Sequence, residues 1–475
     1  MAAGTRRAFL SSAALAVSGA GVLASPGAGD MTDRERGMLA EIEGIPDLCV
    51  HEHWGSLPSI GASAVGFVAD EYAGAASADV GLFDLLLDPY LHGFLAAGGF
   101  DTSALATELG CPHIEAAWRE RPAEVLAATL PHLGNQRPVG TLTCLTEGVS
   151  LLYDLDLDGL SPANGAEISG RINGNYGRIF DWYLEARAKG GLLGPARPVS
   201  LSFMCETRAP DLAKQELSFT RPVLRIDDYL APLSSGNPRM GYSAAKVGVE
   251  PADAPSWREF LRRVFEVADG AGCVGIKQLQ AYSRDLDFSP TTDADVHFAP
   301  GTPEAMRGHQ NWIMHECCKL ANGRGWPFQI HVGTNNLPRS TPLPLGQLIS
   351  AYPRIRFILM HCWPYVDEAA NLAKFHPNAY IDTCWLPILS PAHLERALQT
   401  YIGYVPAHKV MMSQDATSVE LAVGAAAVSR RILAKVLAGR VGDGLLSEPQ
   451  AVRLARRMLH DNADATHNMG YGPLN

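Results

Sequence analysis

HCWPYVDEAANLAKFHPNAYID, residues 361–382, lies across one full repeat of the architecture. The apolar run Ile355–Met360 leads into His361, a helix-patterned stretch over Val366–Phe375 follows, and a second apolar run, Ala379–Thr383, closes the unit. Short apolar runs of this kind belong to parallel strands covered on both faces, and parallel neighbours need a crossover, usually a helix, between them. The unit recurs on both sides. Upstream, helical spacing over Trp257–Asp269, Pro303–Asn322 and Leu343–Tyr352 precedes apolar runs at Cys273–Leu279, Pro327–Val332 and Ile355–Met360. Downstream, Pro391–Tyr401 precedes Lys409–Ser413, and helical patterns over Val419–Ala438 and Glu448–Asp461 come last.

Five such strands fit either an open doubly wound sheet or strands four to eight of a closed barrel. A first strand over Asp47–His53, with Val199–Met204 and Val223–Ile226 as second and third, completes the set. The expected fold is therefore α/β, a (β/α)8 TIM-like barrel spanning 29–475. The mostly helical segment 55–195 then falls between strands one and two as a helical insertion over the barrel mouth, the face whose loops carry function. No GxGxxG or P-loop follows the first strand, which weakens the dinucleotide and nucleotide alternatives.

Bulk properties narrow the partners. The chain has 475 residues, 47% of them hydrophobic and 19% charged, enough to bury a large core and to argue against global disorder. A formal net charge of -11, with no Lys/Arg-rich run outside the extreme N-terminus, speaks against nucleic acid or anionic membrane and for a small organic substrate. No segment beyond the N-terminus reads as a membrane span, and a homo-oligomer is left open. Nine scattered cysteines without CxxC spacing do not form a disulfide framework or zinc ribbon. Cys49, Cys273, Cys362 and Cys384 read as small buried hydrophobes in strand-like runs.

Thr5-Arg6-Arg7-Ala8-Phe9-Leu10 is a twin-arginine pattern, and a small-residue apolar run follows from Ser11 to Ala24. That run is too short to span a bilayer, so 1–28 is expected to be an export signal, cleaved after Ala24 or near Ala28. The mature protein is then expected in the periplasm or outside the cell.

The chemistry-bearing residues fall at strand ends. His51-Glu52-His53 ends the first strand, and in a strand residues two apart face the same way, so both imidazoles can approach one ion while Glu52 points away. His331, His361 and Asp415 each follow an apolar run. Taken singly, each is equally well a satisfied core histidine or a helix-capping aspartate. Together they deliver imidazole and carboxylate to the C-terminal rim where barrel enzymes hold their chemistry, a donor set suited to zinc or another divalent transition metal.

With GIKQLQAY (275–282), PFQIHVG (327–333), the 361–382 stretch and KVMMSQDA (409–416), the sequence resembles the amidohydrolase superfamily, in its amidohydrolase-related (type 2) branch. The likeness is to the amidohydrolase half of plant and fungal proteins fused to a glutamine-synthetase-like domain. It covers roughly 135–470 and is poor from 55 to 135. The resemblance implies one or two divalent ions, zinc foremost, on His51, His53 and Asp415 with His331 as a further ligand. His361 would bind a second metal or orient substrate. Lys277 would bridge two metals as a carboxylated lysine or pair with a substrate carboxylate; a solvated strand-end lysine is the plainer reading. Ser413-Gln414 departs from the small or Ser/Thr-Thr pair usual before the aspartate.

The implied reaction is hydrolysis of an amide, lactone or related carbonyl. Metal acidifies water, Asp415 shuttles the proton, and His361 or the metal polarises the carbonyl. Lys277, Arg225, Tyr282 and Arg284 would hold a substrate carboxylate, with Trp363 and Trp385 as pocket walls. A non-hydrolytic decarboxylase or uronate-isomerase-like enzyme shares the ligand set, and a non-catalytic binding protein on a degenerate barrel is the reading from another class.

Overall fold

The computed structural model describes residues 31–53, 80–205, 220–230, 238–296 and 301–474. The expected export signal at 1–28 and part of the 55–195 segment lie outside them. Among the described residues no helix is long and apolar enough to cross a membrane.

Seven strands form one parallel sheet in sequence order: β1 (Ala196–Val199), β2 (Arg221–Arg225), β3 (Ile276–Gln278), β4 (Phe328–Val332), β5 (Phe357–His361), β6 (Ala379–Asp382) and β7 (Val410–Met411). Every residue of β4 and β5 is buried, the polar Gln329, His331 and His361 among them. Register stacks Ile330, Leu359, Ile381 and Val410 into one layer across four strands.

Residues 47–53 join the two edges of this sheet. On one side Asp47 bridges Leu192, Ala196 N–H donates to Cys49 O (3.0 Å) and Glu52 N–H donates to Ala196 O (3.2 Å). On the other, Asp415 N–H donates to His51 O (3.1 Å) and His53 N–H to Ala416 O (2.9 Å). The sheet thus curls into a TIM-like barrel. The expected first strand is in place but is not a regular ladder, because Val50 N–H goes to Ser413 Oγ (3.0 Å) and Leu48 N–H to Leu459 O (2.8 Å). The expected second strand at Val199–Met204 is displaced: β1 ends at Val199, and Leu201–Cys205 is helical with Leu201 wholly buried. A short apolar run without alternation fits a buried helical turn as well as a strand.

The crossover helices follow the sequence pattern closely. Val366–Phe375 has the expected bounds, and Ala254–Gly270 begins three residues early, at a capping box of Asp253 with Ser256. The expected Glu448–Asp461 helix divides into Glu448–Arg456 and a π turn at Arg457–Asp461, whose Leu459 carbonyl is the one that receives Leu48. Eight of the nine cysteines are buried and all are free thiols, as composition suggests.

Between residue 80 and β1 the chain is mostly helical, including Pro89–Ala97, Gly140–Tyr153, Gly165–Tyr176 and Ile179–Lys189. Gly140–Tyr153 crosses the barrel's long C-terminal helix, Val419–Gly442, at two glycines. A Cβ on Gly148 would sit 1.8 Å from Glu420 O, and one on Gly424 would sit 1.7 Å from Cys144 O. Beside the crossing, buried Glu420 accepts from Tyr153 Oη and Tyr176 Oη, both at 2.6 Å, and from Trp182 Nε1 at 3.3 Å.

Candidate metal centre

His53 Nε2 lies 3.1 Å, and His51 Nε2 3.4 Å, from Asp415 Oδ1, all three side chains being buried. The backbone explains the meeting: Asp415 N–H is tied to His51 O, and Asp415 takes a left-handed φ of 61°, which aspartate tolerates better than most residues. Glu52 faces away from the imidazoles, as strand alternation demands. Its carboxylate accepts Ala416 N–H (2.8 Å) and the Cys49 thiol (3.0 Å), so it clamps the residue following Asp415.

Hydrogen bonding fixes the His51 tautomer. Gln329 Nε2 donates to Val50 O (2.6 Å), which turns Gln329 Oε1 toward His51 Nδ1 (2.9 Å). Nδ1 therefore carries the proton, and a bare Nε2 faces the Asp415 carboxylate. Burial holds His51 well below the usual imidazole range and so neutral. Burial alone would raise Asp415, but the hydrogen bond from His53 opposes it and leaves the carboxyl below the usual range. Two acceptors at 3.4 Å are compatible when a cation sits between them. Tetrahedral zinc with bonds of about 2.0–2.1 Å has ligand–ligand edges of about 3.3 Å. The donor set fits a divalent metal.

His361, at the end of β5, places Nδ1 3.6 Å from Asp415 Oδ2, 2.9 Å from Cys384 O and 3.2 Å from Cys384 Sγ. Its Nε2 lies 3.0 Å from His331 Nδ1, and His331 Nε2 lies 2.8 Å from Thr334 Oγ1. His331 thus stands behind His361, with both nitrogens engaged, rather than among the atoms that face Asp415.

Of the residues expected to bind substrate, two are at the rim. Arg225 pairs in register with Lys277, and Tyr282 packs on His331 at 4.6 Å between ring centroids. Lys277 is buried with Nζ 3.3 Å from Met360 Sδ, and desolvation brings its pKa down to about 8. Arg284 and Trp363 are placed differently. The Arg284 guanidinium donates to Asp285 O, Asp287 O and Gln310 Oε1 and stacks on Phe288, because it precedes an acidic turn that holds it locally. Trp363 stacks on His393 at 4.6 Å.

Three contributors escaped sequence reasoning. Tyr90, on helix Pro89–Ala97, donates its hydroxyl to Asp415 Oδ1 at 3.4 Å and packs on Trp385. A tyrosine in a helical stretch carries no signal of this. Asp382 accepts Cys384 N–H (2.9 Å), Ser413 N–H (3.0 Å) and Ser413 Oγ–H (2.8 Å), tying the ends of β6 and β7; burial raises it to about 6. Its place at a strand end was the available signal. Cys384 is the third, a buried thiol among metal-binding groups. Trp385, an expected wall, lies 5.5 Å from His361, and its indole N–H is buried without an acceptor among the described residues.

The chain is 28% identical over 246 residues to protein fluG of Emericella nidulans, covering 46% of this chain and 28% of that one, so it spans well under a third of that longer protein's length. Its fold is similar to uronate isomerase from Thermotoga maritima (TM-score 0.70, 12% identity, 92% of this chain and 98% of that one). It is equally similar to glucuronate isomerase from Caulobacter crescentus (TM-score 0.70, 18% identity, 96% and 98%). The family model described as amidohydrolase matches residues 221–464, from β2 past β7. The chain belongs to the amidohydrolase family.

Proposed function

We propose that this chain is a metal-dependent hydrolase of a small, carboxylate-bearing substrate, cleaving an amide, lactone or related carbonyl. The observation that carries the reading is the bare, neutral His51 Nε2 and the His53 imidazole converging on one oxygen of an anionic Asp415. A divalent ion held there, zinc on this reading, supplies Lewis acidity and acidifies a water. Asp415 takes up the proton released on attack and returns it to the leaving group. Lys277 and Arg225, neighbours in register, grip the substrate carboxylate, the guanidinium in bidentate fashion. The orphaned Trp385 N–H donates to the oxygen that gains charge. The helices before β1 cover the mouth, with Tyr90 reaching Asp415 from them.

Elemental analysis of purified protein, with a screen of N-acyl amino acids and lactones bearing a free carboxylate, tests the reading. Metal should be stoichiometric, and the His51→Ala/His53→Ala variant should lose the ion held by these two residues while staying folded. Full metal retention in that variant would sink the assignment. We also propose export through the twin-arginine pattern at Arg6-Arg7; Lys at both positions should leave the chain uncleaved in the cytoplasm.

The second reading, a uronate-type isomerase, is favoured by Tyr90. A phenol on the carboxylate gives two proton carriers in one pocket, as proton movement between adjacent carbons requires, with no water consumed. Ketose formation from a uronate, without hydrolysis of any carbonyl substrate, would select it.

A further inference from the structure

We infer that Cys384, His361 and the second oxygen of Asp415 form a second cation site, of thiolate character, beside the one on His51 and His53. The inference rests on the metal-dependent reading above and adds a ligand type to it. His361 Nδ1 lies 3.2 Å from Cys384 Sγ and 3.6 Å from Asp415 Oδ2, and the ligand atoms of all three groups lie within 4.8 Å of one another. A tetrahedral ion with bonds of about 2.0 Å to nitrogen and oxygen and 2.3 Å to sulfur has edges of about 3.3–3.5 Å. All three side chains are buried, Cys384 wholly so.

The hydrogen-bond chain behind His361 prepares it as a ligand. Thr334 Oγ1 donates to Gly333 O (2.8 Å), so it accepts from His331 Nε2 (2.8 Å). His331 Nδ1 and His361 Nε2 share one proton between them (3.0 Å). His361 Nδ1 faces a carboxylate oxygen, a sulfur and the Cys384 carbonyl oxygen, and a cation bound to Nδ1 replaces the proton that otherwise bridges to that carbonyl. Acceptors gathered in this way are reconciled by a cation. Second-sphere imidazole and hydroxyl groups commonly set a ligand's tautomer so.

The sulfur is held in place. Cys384 N–H is fixed on Asp382 Oδ1 at 2.9 Å, two residues past the end of β6. Ion binding exchanges the thiol proton, released to solvent, for a metal–sulfur bond. Asp415 Oδ1 already faces His51 and His53, so its carboxylate spans both positions. A thiolate–imidazole–carboxylate set selects zinc, cobalt or ferrous iron over magnesium or calcium.

Cobalt(II) loading of the full chain tests this. The expected result is two cobalt ions per chain and a near-ultraviolet thiolate-to-cobalt charge-transfer band. Cys384→Ser should lose the band and one ion and keep the other; His51→Ala/His53→Ala should keep the band. Should the variants fail to fold, X-ray absorption of the zinc-loaded wild type decides, by a sulfur scatterer at about 2.3 Å. One ion without a sulfur signature, or an unchanged band in Cys384→Ser, overturns the inference and leaves the first site standing. A wild-type chain that binds no cobalt overturns both.

Discussion

At the barrel rim, polar side chains from several strand ends meet in a buried space. At the crossing of Gly140–Tyr153 with Val419–Gly442, backbone meets backbone with no side chain between them. Both regions are buried, yet they tolerate opposite changes. The rim needs particular atoms and is held by hydrogen bonds that satisfy buried charge, so an isosteric substitution leaves its shape and removes its chemistry. The crossing needs the absence of atoms, so one methyl group is enough to force it apart.

The widest separation of the two is expected from Asp415→Asn. It keeps size and one metal-facing oxygen and removes the basic carboxylate, so turnover should fall about 10²–10⁴-fold, with most of the metal and the melting temperature retained. Near wild-type turnover would end the proton-shuttle role. Gly424→Ala should show the reverse. Alanine gains about 1 kcal/mol of helix propensity, but its Cβ would meet an unyielding carbonyl at 1.7 Å, at a cost of about 3 kcal/mol, for a net loss of about 2 kcal/mol in denaturant unfolding. Metal per folded chain should not change. A stabilised Gly424→Ala protein would mean the helices are not in contact there.

Tyr90→Phe probes the bridge between the two regions. A single hydrogen bond to a charged carboxylate is worth about 1–2 kcal/mol, so turnover should drop about tenfold with the metal in place, and pH dependence should shift on its alkaline side if the phenol moves a proton. The smallest effect is expected at Glu420. Burial raises its folded pKa above the unfolded value of about 4.3, although Tyr153 and Tyr176 pull it back. A carboxyl raised in this way holds its proton longer when folded, so stability declines as pH rises above about 4.3 through the folded value. Glu420→Gln removes that decline, and denaturation midpoints at pH 4 and pH 7 should differ less than in wild type.

Much of the rim could be read from the chain because strand ends are marked: an apolar run stops, and the next side chain must face the mouth. His51, His53, His361, Lys277 and Asp415 were recognisable on that rule. The same rule applied to Asp382 would have found the tie between β6 and β7. It could not order the imidazoles, since only the Thr334–His331–His361 chain shows that His331 stands behind His361. Cys384 is the buried free thiol that the sequence suggests, and burial with apolar neighbours gives no sign that His361 and Asp415 lie beside it. The helical layer was legible only as helices. Its partners were not, because the Gly148–Gly424 contact joins residues 276 positions apart and a glycine in a helical pattern gives no hint of what approaches it.

Residues 47–53 bond to residues more than 360 positions later; Val50 and Ser413 are 363 apart. The last gap in the barrel is therefore filled by a segment that precedes every strand of the sheet, and its ordering entropy is recovered only when β7 exists. His51 and His53 lie on one lip of that gap and Asp415 on the other, so an ion on these three residues would act as a clasp between the two edges of the sheet. Chelation should then loosen the N-terminal lip first, seen as rapid amide exchange across 47–53 while β4 and β5 stay protected.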